Sequence, residues 1–450
     1  MNKDLIMKKF LIALLLTYLR LLAKIQLWKI KPIIVGVTGS AGKTTTRNAL
    51  VAILQDRFKL KVSYKANSET GLPLNILGLT MHDYSLLDWL RVIVLAPIKL
   101  LTNWQRYDFY LAEMAIDAPH EPKNMSYLLK IFQPVIGVFL NAQPLHSEGF
   151  DDLVKTADPK ERGVRTTALI AQEKGLMIKH LPKTGTAILN TDDVNVWRFK
   201  DLTSAKVIGF GRNEQAKVQI MTIKPSLKGT EFVFKYTGEK HTLFMKQHLL
   251  PDHYAYSFAS ALAVGLSLGV KISKSITEIA ANFKLPPGRS SLIAGINDAY
   301  ILDSSYNASS QPTMDAIKLV DRVALGKKYA LLGDMRELGL ESQLEHEKLA
   351  ALVVKSCDRV VLVGPQMKKF VWPILKKAKT RVDWVDDAYQ AAEILKTELS
   401  AGDMLLVKGS QNTLLLETAV ERLMAHPEQA DQFLCRRGAY WDKKRAELKK

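Results

Sequence analysis

The stretch "VGVTGSAGKTTTRNAL", residues 35–50, places a glycine turn between an apolar run and a segment with helical spacing. The β-branched residues before the turn predict a buried strand, and "TTTRNALVAIL" after it predicts a helix whose N-terminus points at the turn. Backbone N–H groups and the helix dipole converge on an anion in such an arrangement. The stretch therefore predicts a nucleotide-binding loop in an α/β fold.

The residue types within this loop match the needs of a bound nucleotide. Lys43 would neutralise charge on the β- and γ-phosphates, and the Thr44 hydroxyl can ligate Mg²⁺. The strict P-loop spacing fails, because Val37 stands where the first glycine of that pattern would be, and this indicates a variant class. The predicted nucleotide-binding residues of the loop are Gly39, Ser40, Ala41, Gly42, Lys43, Thr44 and Thr45.

The bulk properties of the chain limit the alternatives. A length of 450 residues predicts two or three domains. The net charge of +18 favours anionic partners without choosing among nucleotides, nucleic acid, anionic lipid and phosphorylated substrates. Two widely separated cysteines argue against a zinc ribbon or a disulfide framework and fit a reducing cytoplasm. The sequence lacks an aromatic–basic recognition motif, so we expect no nucleic-acid partner.

Two α/β units are predicted along the chain. Buried-strand candidates after the loop are "FYLAEMA" (109–115), "VIGVFLN" (135–141), "TAILN" (186–190) and "KVIGFG" (206–211), and residues 217–246 alternate as antiparallel hairpins do. After the linker "KLPPGRSS" (284–291) the α/β rhythm restarts. The fold class is therefore α/β, a P-loop ATPase domain with a mostly parallel sheet plus a C-terminal Rossmann-like domain. The predicted segments are an apolar basic N-terminal helix (1–32), a central ATP-binding domain (33–285), a C-terminal domain (286–425) and a solvated basic tail (426–450).

The N-terminal segment leaves two alternatives open. Its uncharged run, residues 10–19, is too short to span a membrane, and no small-residue cleavage site follows. The residues Thr17, Arg20, Lys24 and Lys31 form one polar stripe on a helix otherwise rich in Leu and Ile. That stripe indicates a helix lying in an anionic membrane interface, and the alternative is a helix packed on the next domain. A second apolar stretch, residues 86–101, has the same two alternatives. The predicted location is cytoplasmic, either free or peripheral on the inner face of the membrane.

Several further motifs follow the loop in a fixed order. They are "NSETGLP" (67–73), "LAEMA" (111–115), "FLNAQPLHSEGF" (139–150), "AQEKGLMI" (171–178), "PPGR" (286–289), "ILDSSYNASSQPTM" (301–314), "LLGDMRELGLESQLEH" (331–346) and "LLVKGS" (405–410). Their combination resembles the Mur ligases, the ATP-dependent amide ligases of peptidoglycan precursor synthesis. Within that family it is most similar to the branch that adds D-alanyl-D-alanine to a muramoyl-tripeptide.

The resemblance implies a mechanism and a set of site residues. A carboxylate of the muramoyl-peptide precursor would be activated by ATP as an acyl phosphate, which the amine of D-alanyl-D-alanine then attacks. Two Mg²⁺ ions are implied, the first held by Thr44 and Glu113. The second would be held by Glu113, His146 and a carbamate on Lys174. Lys43 completes the implied catalytic set, and the implied contacts on the nucleotide side or in domain closure are Arg289, Asp303 and Asn307.

The sequence also departs from the family pattern. Tyr254 and Ser257 stand where asparagines that contact adenine are expected, so we expect Tyr254 to stack on the base instead. Only 32 residues precede the predicted central domain, so the usual N-terminal domain that holds uridine diphosphate is expected to be missing. Three alternatives stay open: an amide ligase for another, lipid-linked, cell-envelope acceptor, a poly-amino-acid ligase, and a P-loop regulator without ligase chemistry.

Overall fold

The computed structural model of the protein describes residues 3–64, 66–82, 85–144, 148–156, 158–246, 248–409 and 412–448. Its helices are α1 (Lys3–Ile30), α2 (Lys43–Leu54), α3 (Gly71–Leu77), α4 (Leu86–Thr102), α5 (Met125–Ile131), α6 (Pro159–Lys179), α7 (Val194–Trp197), α8 (His253–Ser267), α9 (Ile272–Asn282), α10 (Ser310–Val323), α11 (Ser342–Ser356), α12 (Trp372–Lys377), α13 (Ala388–Glu398), α14 (Glu417–Leu423), α15 (Ala430–Phe433) and α16 (Ala439–Leu448). Shorter helical turns cover Glu148–Leu153, Arg198–Asp201, Ile296–Asp298, Gly339–Glu341, Met367–Val371 and Pro427–Gln429.

The strands form two separate sheets. They are β1 (Ile33–Thr38), β2 (Leu60–Val62), β3 (Phe109–Glu113), β4 (Ile136–Phe139), β5 (Thr186–Asn190), β6 (Lys206–Gly211), β7 (Val218–Ser226), β8 (Gly229–Tyr236), β9 (Glu239–Lys246), β10 (Ser291–Ala294), β11 (Tyr300–Ser304), β12 (Lys328–Gly333), β13 (Arg359–Val363), β14 (Arg381–Val385) and β15 (Met404–Lys408). The first sheet contains β1 to β9 and the second β10 to β15. Two sheets, each with its own core, confirm the predicted α/β class.

The first sheet positions the glycine loop. Its strand order is β2-β3-β1-β4-β5-β6-β7-β8-β9, parallel from β2 to β7 and antiparallel from β7 to β9. Residue Val37 lies opposite Glu113 in the β1–β3 register. The carboxyl ends of the central parallel strands therefore bring the loop and Glu113 to one edge, where open α/β sheets bind ligands.

Both faces of this sheet are covered by helices. The helices α2, α8 and α9 bury one face around Leu50, Phe258 and Ile279. On the other face, α1, α3, α5 and α6 pack around Tyr110 and Phe139. Because both faces are buried, the strands read as near-continuous apolar runs, which is why their positions are visible in the sequence.

The second sheet has the order β10-β11-β15-β12-β13-β14, parallel except for β10. We propose that the two units divide near residue 285, as the sequence predicts. The tail beyond residue 425 ends in a mostly exposed helix, α16, as expected, but its Arg445 and the preceding Arg436 are buried. Arg436 forms an ion pair with buried Glu417 over 3.0 Å, so the tail is part of the C-terminal packing.

Helix α1 packs on the central unit through one side only. Leu19 is buried with Leu77 and Val92, so the inner sides of α1 and α4 face each other and α3. Of the polar stripe predicted on α1, Thr17 and Lys24 are exposed, whereas Arg20 stacks on the Tyr127 ring at 5.0 Å and Lys31 lies beyond the helix end. Among the described residues one helical stretch, Phe10–Ile30, is long and apolar enough to span a membrane by length and composition.

Candidate active site

The glycine loop adopts a conformation that side chains would prevent. Gly39 and Gly42 have φ angles of 150° and 87°, in the region that favours glycine. A Cβ atom on Gly39 would come within 2.9 Å of Leu140 Cβ. Helix α2 starts directly after Gly42, and no side chain caps it. Its first N–H groups are therefore available to an anion.

Two neighbouring segments hold the loop in place. Asn141 Oδ1 accepts a hydrogen bond from Ala41 N over 2.9 Å, and Asn141 Nδ2 donates to Ala41 O over 3.1 Å. Ser40 Oγ donates to Gln143 O over 2.9 Å. Buried Ser257 Oγ donates to Gly42 O over 3.4 Å. The loop geometry is thus fixed before a nucleotide binds, so little ordering would be needed on binding.

Lys43 lies folded across the loop. Its Nζ donates to Gly39 O over 2.7 Å and to Ser40 O over 3.3 Å. Burial lowers the pKa of Lys43, and the carboxylates of Glu113 and Asp117 oppose that shift. A cation held at the loop by carbonyl oxygens alone can transfer to phosphate oxygens, which bind it more strongly.

Glu113 links the loop to the sheet edge. Its Oε2 accepts a hydrogen bond from Thr44 Oγ1 over 3.1 Å, and its Oε1 lies 2.5 Å from Arg47 Nη1 in a buried ion pair. The Arg47 guanidinium also stacks on the Tyr64 ring at 4.6 Å. The paired hydroxyl and carboxylate are the hard oxygen donors that Mg²⁺ prefers, so the residues present fit this ion.

Lys174 lies within electrostatic reach of Lys43. It is buried in α6, and burial lowers its pKa to about 7, with the positive charge of Lys43 acting in the same direction. The carboxylates of Asp117 and Glu173 oppose the shift. His146 lies outside the described residues. In the part of the chain that the structure describes, no group of three or more His, Cys, Asp or Glu side chains is arranged to hold a metal ion. The site for a second ion therefore stays a prediction.

The C-terminal unit supplies Arg289 from the opposite side. Its positive charge lowers the pKa values of both Lys43 and Lys408, which places the guanidinium within electrostatic reach of the loop. It stacks on the Tyr306 ring at 4.5 Å. Arg289 therefore adds positive charge on the side of the loop that faces the C-terminal unit.

The contacts of Asp303 and Asn307 lie within the C-terminal unit. Asp303 is fully buried, its Oδ1 accepts from Ser305 N over 2.9 Å, and burial raises its pKa to about 6. Asn307 accepts a hydrogen bond from Lys408 through its backbone oxygen. These contacts shape the turn after β11, and a direct nucleotide contact by either side chain stays a prediction.

A cavity of about 500 Å³ opens beside the loop, a volume typical of a small-molecule site. Both units line it, and its polar walls include His253, Tyr256 and Asp192. Tyr256 OH donates to Asp192 Oδ2 over 2.9 Å. The expectation that Tyr254 stacks on the base is wrong, because Tyr254 is buried in the core below the cavity. Tyr256, one helical half-turn away, is the tyrosine that faces the cavity.

Two different kinds of contact join the units. On one side, Leu227 and Leu249 pack into the apolar core of the C-terminal unit. On the other side the contacts are polar: Arg162 Nε donates to Glu341 Oε1 over 2.7 Å, and His253 Nδ1 lies 3.2 Å from Asp315 Oδ2. The cavity lies between halves that ion pairs and hydrogen bonds hold together.

Replacing Arg162 with methionine should favour separation of the units. The Glu341 carboxylate is buried and would lose its partner, and opening lets water solvate it. We expect the KM for ATP to rise several-fold with a small change in Tm, and hydrogen exchange to increase around residues 284–291. Arg165→Met is the matched control, because Arg165 pairs with Glu161 on the exposed side of the same helix. Equal effects of both substitutions would contradict this role for Arg162.

Arg47 and Tyr256 are the residues whose position at the site the sequence did not reveal. Arg47 is three positions after Thr44 in α2, so both side chains lie on one face of the helix. That spacing was the available signal for Arg47. For Tyr256 no such signal exists, because tyrosines at positions 254 and 256 fit the same helical pattern equally well.

Comparisons with known proteins agree with this geometry. The family model described as the Mur ligase middle domain matches residues 37–265, and that of the Mur ligase, glutamate ligase domain matches residues 288–411. The chain is 26% identical over 416 residues to the UDP-N-acetylmuramoyl-tripeptide–D-alanyl-D-alanine ligase of Bacillus subtilis, covering 92% of this chain and 80% of that protein. The relative of the same name from Mycobacterium tuberculosis is 26% identical, covering 87% of this chain and 73% of that protein.

A solved structure extends the likeness to three dimensions. The crystal structure of the MurF ligase from Thermotoga maritima in complex with ADP aligns with a TM-score of 0.72 and 25% identity, covering 93% of this chain and 84% of that one. A pseudomurein peptide ligase type C from Methanothermus fervidus, at 16% identity and a TM-score of 0.60, shares the fold. The first of these structures establishes that a chain of this fold holds an adenine nucleotide.

Proposed function

The chain belongs to the Mur ligase family, and we propose that it joins D-alanyl-D-alanine to a UDP-N-acetylmuramoyl-tripeptide at the expense of ATP. The observation that carries this proposal is that Lys43, Thr44 and Glu113 meet at the glycine loop, with Lys174 buried beside them. A phosphate-binding loop alone would fit any ATPase. The buried lysine and the carboxylate at a strand end support amide ligation.

The proposed reaction has two bond exchanges. A carboxylate oxygen of the tripeptide attacks the γ-phosphorus of ATP, the bond from that phosphorus to the bridging oxygen breaks, and ADP leaves. The amine nitrogen of D-alanyl-D-alanine then attacks the acyl carbon, and its proton passes to the phosphate that leaves. The tetrahedral intermediate collapses as the bond between carbon and phosphate oxygen breaks. The products are the amide, ADP and phosphate.

The residues of this chain position and neutralise the reacting groups. The N–H groups at the start of α2 would bind phosphate oxygens, and Lys43 Nζ would move from Gly39 O to them. Arg289 would approach from the C-terminal unit when the units close. The cavity lined by Tyr256 and His253 would take the adenosine end of ATP. Closure would exclude water, which protects an acyl phosphate from hydrolysis.

Divalent metal would act at the Thr44–Glu113 pair. A bound Mg²⁺ ion offsets the repulsion between the γ-phosphate and an incoming carboxylate. Thr44 Oγ1 and Glu113 Oε2 would hold one ion. Glu113, His146 and a modified Lys174 would hold a second. Arg47 keeps Glu113 in place through the other carboxylate oxygen.

We propose that Lys174 carries a carbamate. Its burial supports this, because a buried primary ammonium is costly and a neutral amine reacts readily with CO₂. Carbamylation exchanges a cation for an anionic oxygen ligand, which a hard metal ion prefers. The modification would also convert the repulsion between Lys43 and Lys174 into attraction.

We propose that the enzyme works in the cytoplasm, on the inner face of the cell membrane. ATP and a nucleotide-linked precursor are cytoplasmic substrates. Helices α1 and α4 both present apolar side chains to solvent, which supports attachment to the membrane.

The direct test is ATP-dependent phosphate release by the purified chain. With a UDP-N-acetylmuramoyl-tripeptide and Mg²⁺ present, we expect release to depend on D-alanyl-D-alanine and to match the amount of amide formed. Single D-alanine and L-alanyl-L-alanine are the control acceptors. Phosphate release that no added dipeptide accelerates, without any amide product, would contradict ligation. Amide formation with another acceptor in the panel would contradict the proposed substrate alone.

A further inference from the structure

The outer sides of α1 and α4 form one apolar surface, here named the two-helix surface. It consists of the exposed apolar side chains of both helices, such as Phe10, Leu14 and Trp28 in α1 and Leu87 and Leu90 in α4. More than half of the large apolar side chains that are exposed in the described chain belong to these two helices. Scattered exposed leucines are ordinary, whereas a large contiguous apolar patch marks an interaction surface.

The inner sides of the same helices are already occupied. Leu19, Val92 and Ala96 are buried against one another and against α3. Polar contacts tie the helices together: Tyr18 OH donates to Ile93 O over 2.9 Å, and Gln26 Nε2 donates to Asn103 O over 3.0 Å. These pairs advance together along the two helices, so α1 and α4 run parallel. The two-helix surface is therefore the outer side of a firmly packed pair and does not belong to the core.

Charge around the surface is almost entirely positive. Residues 1–31 contain seven lysines and arginines against one aspartate. The only acidic residue of α4, Asp88, is buried and paired with Arg91 over 2.8 Å, so it offers no negative charge to a partner. Lys24 and Lys99 are exposed near the C-terminal ends of the helices. Positive charge beside an apolar face complements an anionic lipid headgroup layer.

Tryptophans mark the boundary between the apolar and the basic parts. Trp28 and Trp104 are exposed beyond half of their surface. Lys29 Nζ lies 4.1 Å from the Trp104 ring and also donates to Leu100 O over 2.5 Å. Tryptophan and lysine together are the side chains enriched at the level of lipid headgroups.

We propose that the two-helix surface binds an anionic lipid bilayer and lies in its interface. The apolar side chains of Phe10, Leu14 and Leu87 reach the boundary of the acyl region, and Trp28 and Trp104 lie among the headgroups. This inference rests on the proposed location and is independent of the proposed reaction. Spanning by α1 would strip Gln26 of its partner and expose Leu19, Leu77 and Val92, so α1 stays docked on the protein.

Flotation of the full chain with vesicles tests this proposal. One set contains phosphatidylglycerol and phosphatidylcholine, and the other phosphatidylcholine alone. We expect binding to the anionic vesicles, weakened at least tenfold in 0.5 M salt relative to about 0.1 M, where the Debye length is about 10 Å. Leu87→Glu should weaken it at least tenfold as well. Leu325→Glu is the matched control, because Leu325 is as exposed as Leu87 but lies in the C-terminal unit.

Each other outcome overturns the proposal. If the protein binds neither vesicle set, the two-helix surface does not bind lipid. Extraction that requires detergent and resists alkaline carbonate shows a spanning helix instead of an interfacial one. A dimer in lipid-free buffer that Leu87→Glu dissociates assigns the surface to a second copy of this chain. The rate of ligation in lipid-free solution should be the same in both variants and in the parent. If none of the three proteins ligates, the proposed reaction is wrong, and the vesicle experiment still tests the lipid proposal.

Discussion

Glu113→Gln should lower the rate of ligation by about two to three orders of magnitude, the usual loss when one preorganised electrostatic group is removed. Glutamine keeps the size of the side chain and can still accept from Thr44 Oγ1, but it carries no charge for a metal ion. The measurement is phosphate release at saturating ATP and substrates. Raising the Mg²⁺ concentration should recover only part of the rate.

The control for this substitution concerns Arg47. Without the carboxylate, its buried guanidinium has no ionic partner, and breaking a buried pair costs about 3–5 kcal/mol of folding stability. The double variant Arg47→Met/Glu113→Gln removes both charges and should recover most of the lost Tm without recovering activity. If Glu113→Gln retained turnover within a few-fold of the parent at an equal folded fraction, the assignment of Glu113 would be wrong.

Lys174→Ala should lose at least two orders of magnitude in rate while keeping ADP binding at the loop. The alanine removes the carbamate that would hold an ion, and formate or acetate at high concentration should restore part of the rate by supplying a carboxylate. Lys179→Ala, on the exposed side of the same helix, is the matched control. A Lys174→Ala enzyme as active as this control would defeat the carbamate proposal.

The pH dependence of carbamylation follows from the pKa of Lys174. Only the neutral amine adds to CO₂. Because the pKa is lowered to about 7 from 10.5, the neutral fraction rises as pH increases through 7, whereas an ordinary lysine would stay charged up to about pH 10. Enzyme depleted of CO₂ should therefore regain activity faster at pH 8 than at pH 6 when both buffers are equilibrated with the same CO₂ pressure. Labelled bicarbonate should also add a carbamate signal that Lys174→Ala lacks.

The parts of the fold that the sequence predicts are those with a local cause. The strands β1, β3, β4 and β5 are short apolar runs because helices cover both faces of their sheet, and the loop is recognisable because Gly39 and Gly42 need conformations that other residues avoid. Lys43, Thr44 and Glu113 follow from the loop and its neighbouring strand end. Lys174 follows from its place in the motif order, since nothing local distinguishes it from a solvated lysine.

The failures share a different cause. The spacing of residues along a helix gives the angle between their side chains around the helix axis. It does not show on which side of the helix the rest of the protein packs. Arg20 belongs to the predicted polar stripe of α1, yet its guanidinium turns inward onto Tyr127, while many apolar side chains of the helix are exposed. In the same way, the spacing could not show that Tyr254 packs into the core while Tyr256 lines the cavity. The burial of Arg436 and Arg445 could not be predicted either, because Arg436 depends on Glu417 and on the distant Tyr306 backbone oxygen, and Arg445 in turn donates to the Arg436 backbone oxygen.

The two units contact each other through the apolar side chains of Leu227 and Leu249 and through the ion pair between Arg162 and Glu341. Separation at the ion pair costs little free energy, because water then solvates both charged groups. Separation at the leucines would expose apolar surface to water and raise the heat capacity of the system. We expect the units to part first at the ion pair when ADP is released, because this opening leaves the leucines in contact. Turnover should accordingly quicken with moderate salt when release limits the rate.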